Sequence, residues 1–220
     1  MSRKKYAVII LVAACCAIMA AVETLIEPAY AVKSAVKAAV FLALPLIVLK
    51  AFKIKLFGGS FSFGLKRLLR LLALGAAIYL IVMSGYALTK GLFDYSTLIE
   101  SLSKDQNVDG GSFVLVALYI SFGNSFLEEF LFRQTAFIAL SELASKKTAY
   151  IFSSLMFALY HVAMIGQSFP PQLLLAALAG LAVGGFVFDW VDEKSGNFLG
   201  SWFIHMFADF ALMTIWYIHI

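Results

Sequence analysis

Again and again along this chain comes a run of roughly 18 to 25 apolar residues, the length at which an α-helix crosses a hydrocarbon core of about 30 Å. About seven such runs can be drawn, near 7–25, 34–52, 69–92, 112–140, 148–166, 172–190 and 199–219. Hydrophobic residues make up 62% of the chain and charged residues 14%. Soluble domains carry about 25% charge, so the apolar excess has to face lipid. The expected fold is all-α, a polytopic membrane helix bundle of about seven transmembrane helices, and any chemistry sits in the bundle interior. The run behind Arg3, Lys4 and Lys5 is longer than a secretory signal core and ends in no clear small-residue cleavage site, so it reads as the first span.

Basic residues in short loops set the orientation. Arg3, Lys4, Lys5, Lys50, Lys53, Lys55, Lys66, Arg67, Arg70, Lys146, Lys147 and Lys194 fall on one side. Glu23, Glu27, Asp94, Glu100, Asp105 and Asp109 fall on the other, with Lys33, Lys37, Lys90 and Lys104 as basic exceptions. This places the N-terminus in the cytoplasm and the C-terminus outside the cell membrane. The net charge of +4 suits loops beside anionic lipid and asks for no nucleic-acid partner. Between spans, 50–70 reads as an interfacial amphipathic stretch, and the acidic stretch 93–111 and the loop 166–171 read as solvated turns. Cys15 and Cys16 are neighbours inside the first span and read as apolar filler. Ala176, Gly180 and Gly184 recur every four residues and read as a close-packing stripe. His219 reads as an interfacial residue.

Ionisable side chains inside spans are expensive, and each marks a candidate site. In the fourth run, Ser121, Asn124, Ser125 and Glu128 recur at i, i+3, i+4 and i+7, one stripe of an otherwise apolar helix. Glu129 and Arg133 stand at i, i+4 with the acid first, the order that favours an ion pair. Glu128 points about 100° away round the helix, so on its own helix it is the carboxylate left without a cation. The fifth run carries Ser154, Phe157 and His161 along one face. The seventh carries His205 and Asp209 at i, i+4. At about 1.5 Å per residue, Glu128 lies about 18 Å and His161 about 20 Å below the same face, with His205 and Asp209 about 9 to 15 Å below it. Three independent helices thus deliver polar groups to a similar depth, which favours one shared site.

A free carboxylate, two imidazoles and an Asp suit amide hydrolysis. The carboxylate takes a proton from a water that an imidazole helps to position. A second imidazole and its neighbour stabilise the oxyanion. Glu128, His161 and His205 equally form a possible zinc ligand set with an open position, and the residues alone leave carboxylate-held and metal-held water both open. No HExxH, GxSxG or Cys near a His supports the soluble templates.

Glu128-Glu129-x-x-x-Arg133, Phe157-x-x-x-His161 and His205-x-x-x-Asp209, in this order and each in an apolar run, resemble the CPBP family of intramembrane endopeptidases. That family includes type II CAAX prenyl proteases and the bacteriocin-processing or self-immunity proteins called Abi. The resemblance covers about residues 111–220, leaving 1–110 as N-terminal helices and loops of one continuous membrane domain. It implies that Glu128 activates water with His161, that His205 and Asp209 stabilise the oxyanion, that Arg133 holds Glu129, and that the substrate is a membrane-associated or lipidated peptide or protein. The last motif position is often Asn, where Asp209 stands here. An ionised carboxylate would repel an oxyanion, so Asp209 has to be protonated, orient His205 or bind a metal. Two other readings remain open at this stage: a non-catalytic immunity or scaffold protein on the same fold, and a small proton-coupled transporter. Against the transporter, no inverted repeat is visible.

Overall fold

The computed structural model describes residues 2–55, 64–106 and 112–219. Among the described residues the chain is helical and has no strand. Seven helices are long and apolar enough to cross a membrane: α1 (Arg3–Ile26), α2 (Tyr30–Ala51), α3 (Leu65–Thr89), α5 (Phe113–Ala139), α6 (Lys146–Ile165), α7 (Pro171–Ser195) and α8 (Leu199–Ile218). Between α3 and α5 lies a short polar helix, α4 (Tyr95–Gln106).

The helix ends follow local chemistry. Glu27 closes α1 in the left-handed region (φ 46°), its N–H reaching the Val22 carbonyl at 3.0 Å, and Pro28 cannot extend the helix. The Ser145 hydroxyl caps α6 by accepting the Thr148 N–H at 3.1 Å. Pro171 opens α7 with its preset φ, and Gly196, at φ 69°, ends it. Among the described residues, four stretches wind as π-helix rather than α-helix: Val22–Ile26, Ala39–Ala43, Tyr119–Asn124 and Phe130–Ala139. Such turns are rare and concentrate at functional positions.

By internal packing the chain forms two compact units, one of Met1–Phe61 and Leu127–Ser201, the other of Ser62–Phe126 and Trp202–Ile220. In the first, Val8, Leu49, Phe137, Leu140 and Ala149 form one buried apolar cluster. Beside it Phe41, Phe132, Phe157 and Tyr160 meet mostly edge to face, with centroids 5.8 Å apart for Phe41 and Phe132, 5.1 Å for Phe41 and Tyr160 and 5.3 Å for Phe132 and Phe157. The buried Cys15 Sγ–H donates to the Val40 carbonyl at 3.1 Å, inside the second π-turn.

The close approach of α6 and α7 does not use the stripe Ala176, Gly180 and Gly184. A Cβ at Gly180 or Gly184 would meet nothing within 4 Å, whereas one at Gly185 would stand 3.1 Å from Ser154 Cα. The four-residue period is real, but Ala176 and Gly180 are exposed and Gly184 is half-buried; the buried glycine is Gly185, the next one round the helix. Gly185→Leu is therefore expected to lower stability by about 1–3 kcal/mol through overpacking. Gly184→Leu should be close to neutral, and thermal unfolding of the two detergent-purified variants makes the comparison.

In the second unit, Phe207 of α8 lies over Gly75 of α3, where a Cβ would come within 2.5 Å of the ring. Tyr79 donates to Thr214 Oγ1 at 3.1 Å, and the Trp202 indole N–H to the Phe122 carbonyl at 3.1 Å. His219 is more tightly held than an interfacial residue need be. Its Nε2 is 2.9 Å from the Tyr86 hydroxyl, its Nδ1 3.3 Å from Ser96 Oγ, and its ring stacks on Tyr95. Of the stretch 93–111, read as a solvated turn, residues 95–106 are helix. Asp94 caps it, accepting from Ser96 N at 3.1 Å, Thr97 N at 3.2 Å and Thr97 Oγ1 at 2.7 Å, and the Thr97 bonds hold its carboxyl below the usual range. Residues 107–111 lie outside the described residues, as do 56–63 of the expected amphipathic stretch; its last residues, from Leu65, belong to α3.

Candidate active site

Glu128 is buried in the middle of α5, on the last α-helical turn before the chain widens into π-helix at Phe130. Its partner is a cation from another helix. Lys37 of α2 places Nζ 2.6 Å from Glu128 Oε1, and both side chains are at least 95% buried. The Lys37 ammonium also lies over the rings of Phe41 and Tyr160, at 5.3 and 5.0 Å from their centroids. Neither charge could be buried alone without severe cost, and together they compensate each other. Spacing along a single helix had left Glu128 without a cation; the structure supplies one 91 residues away.

On its other side Glu128 faces His161 of α6, with Oε2 3.9 Å from Nε2. His161 Nδ1 is 2.8 Å from the Phe157 carbonyl, which can only accept, so Nδ1 carries a proton. In the neutral ring the lone pair is then on Nε2, facing the carboxylate. A separation of 3.9 Å is too long for a direct hydrogen bond, yet a single water can touch both groups.

Glu129, next in sequence, belongs to a different network. Arg133 Nε donates to Glu129 Oε2 at 3.1 Å, and Arg133 Nη1 to Ser153 Oγ at 2.9 Å. Ser153 Oγ lies 2.9 Å from Asp189 Oδ1 and 2.8 Å from the Phe132 carbonyl, and Ser154 Oγ donates to Asp189 Oδ2 at 3.2 Å. Arg133 Nη1 is 3.6 Å from Asp189 Oδ1. Asp192 accepts the Ser201 N–H at 3.1 Å. All of these side chains are buried, and two carboxylates, Glu129 and Asp189, flank one guanidinium. Phe157 joins the two networks. The Arg133 guanidinium lies 4.5 Å from its ring centroid, and the ring meets His161 edge on at 4.7 Å.

In the second unit, the α8 residues His205 and Asp209 stand one turn apart, Nε2 to Oδ1 being 3.8 Å, and both are largely buried. Ser121 and Ser125 are fully buried, with Ser125 Oγ donating to the Ser121 carbonyl at 2.5 Å. Among the described residues, no three His, Cys, Asp or Glu side chains come together as a metal-ligand set.

Sequence reasoning missed Lys37, Asp189 and Asp192. The signal was present, since each is an ionisable residue in an apolar run. Lys37 stands inside the run 34–52 yet counts there only as a basic exception to the charge asymmetry, and Asp189 and Asp192 stand at and just past the end of the run drawn to 190, where the sequence analysis gives them no role.

The fold and these side chains define a polytopic membrane protein with a buried glutamate–histidine pair. The family model described as Type II CAAX prenyl endopeptidase Rce1-like matches residues 110–211, so over this stretch the chain is similar to the CPBP/CAAX proteases, a class of intramembrane endopeptidase. The match includes all seven residues of the three motifs. Comparison with curated proteins and with solved structures gave no match.

Proposed function

We propose that the protein hydrolyses a peptide bond of a membrane-associated or lipidated peptide or protein by a water that Glu128 and His161 activate. The observation that carries this reading is the approach of Glu128 Oε2 to His161 Nε2 at 3.9 Å, with Nδ1 turned to the Phe157 carbonyl at 2.8 Å so that a neutral ring offers its lone pair to the water. A water between them donates one hydrogen to each, which leaves its oxygen lone pair turned outward. Glu128 takes a proton as the oxygen attacks the carbonyl carbon, and gives it to the departing amine when the tetrahedral intermediate collapses. The oxyanion formed in between needs donors, and the family resemblance implies His205 and Asp209 for that role. In that role the Asp209 carboxyl is protonated or orients the His205 ring.

The carboxylate-held water is favoured over a zinc-held one by the donor set. One oxygen of Glu128 is occupied by an ammonium at 2.6 Å, which competes with any metal for the same atom. The N-terminus is assigned to the cytoplasm. Two of the four basic exceptions to that assignment, Lys33 and Lys37, turn out to be ion-paired inside α2, to Glu23 at 2.7 Å and to Glu128, so they leave the loop tally.

The test is cleavage of a farnesylated peptide with a CAAX-type C-terminus, alongside its unprenylated counterpart, by the detergent-purified chain with and without a chelator. Cleavage of the farnesylated peptide that survives chelation is expected. Loss under chelation would replace the carboxylate-held water with a metal-held one, and preference for the unprenylated peptide would remove the lipidated substrate.

A further inference from the structure

We infer that Lys37 is a positioning residue of this hydrolytic site, which sets the rotation of the Glu128 carboxylate so that one particular oxygen meets the water. The inference rests on the Glu128–His161 reading above. A carboxylate on a flexible stem presents two equivalent oxygens, and a general base is useful only if one of them is held toward the proton it takes. Here the two oxygens have different neighbours: Oε1 is 2.6 Å from the Lys37 ammonium and Oε2 is 3.9 Å from His161 Nε2. A charge-assisted bond of that length is strong and fixes Oε1. Oε2, the oxygen that faces His161, is the one this rotation presents to the water.

Lys37 is itself fixed. It is 96% buried, its ammonium is flanked by the Phe41 and Tyr160 rings, and Tyr160 is the chain neighbour of His161 on α6. The same aromatic floor therefore locates the cation and the histidine on either side of the carboxylate. Phe41 belongs to the π-helical turn Ala39–Ala43 that follows Lys37 in α2. Residue 37 lies outside the family-matched stretch 110–211, so a group needed for the chemistry comes from a helix that the family resemblance does not cover.

An ammonium that only balanced charge would be replaceable by a guanidinium. One that assigns the oxygens would not, because a planar guanidinium grips both oxygens of a carboxylate at once and draws Oε2 away from His161. The experiment measures kcat and KM for the farnesylated CAAX-type peptide with the full-length wild type, Lys37→Arg, Lys37→Gln and Glu128→Gln, each with its thermal unfolding midpoint. Lys37→Arg is expected to unfold near the wild-type midpoint and keep KM within two-fold while kcat falls roughly 10- to 100-fold. Lys37→Gln is expected to lose at least as much kcat. Wild-type kcat in Lys37→Arg, with Glu128→Gln inactive, overturns the positioning role and leaves the hydrolytic reading in place. Wild-type kcat in Glu128→Gln removes the hydrolytic reading and this inference with it.

Discussion

Glu128→Gln is expected to lower kcat on the farnesylated peptide by about a thousand-fold, since a positioned general base contributes about 10²- to 10⁴-fold. The substitution keeps the side-chain shape and leaves a carbonyl oxygen to accept the Lys37 hydrogen bond, so what is removed is the capacity to take a proton. It also leaves a buried ammonium beside a neutral amide. The unfolding midpoint should drop, and activity has to be read on protein that elutes as a folded species in size-exclusion chromatography. KM should change little, because the carboxylate touches the water and not the body of the substrate. A folded Glu128→Gln protein with wild-type turnover would show that the water is activated elsewhere.

The largest effect on stability is expected from Arg133→Met. The guanidinium lies between the buried carboxylates of Glu129 and Asp189 and 4.5 and 5.3 Å from the ring centroids of Phe157 and Phe188. Methionine fills part of the space and satisfies none of the carboxylates. Breaking a buried ion pair from one side costs about 3–5 kcal/mol because the partner charge is left behind. For a helical membrane protein in detergent that is a large share of the total, so the variant should purify poorly or unfold well below the wild type. The triple variant Arg133→Met, Glu129→Gln, Asp189→Asn should recover much of the loss, since the stranded charges go with the cation. Thermal unfolding of the three proteins decides it. An Arg133→Met midpoint equal to wild type would mean that these acids are already neutral and that the network is held by its hydrogen bonds alone.

The seven spans were legible because the bilayer imposes a minimum length on an apolar helix, and that length is written in consecutive residues. The ends were less legible. Helix α7 continues to Ser195, past the point where charges begin, because Asp189 and Asp192 are turned inward to Arg133 and Ser201 rather than out to water. Helix α4 was invisible to a search for apolar runs because it is polar, and its start is written only in the Asp94 cap. The π-helical stretches have no signature in the hydrophobic pattern; their extra residue per turn is selected by packing. Of the site, the Glu129–Arg133 pair could be read because both partners lie on one helix at a fixed spacing. The Lys37–Glu128 pair could not, because no periodicity relates residues 91 positions apart on different helices.

That ion pair bears on how this protein can be divided and recombined. A segment cut at residue 110 and fused to a foreign pair of N-terminal helices would bring Glu128 into a membrane with its counter-ion left in the donor protein. The recipient helices would have to offer a cation at the same depth and facing, or the graft would carry an orphaned negative charge in lipid. The second transmembrane helix and the family-matched stretch are thus interchangeable between proteins only as a set, and exchange of either is expected to carry the other with it.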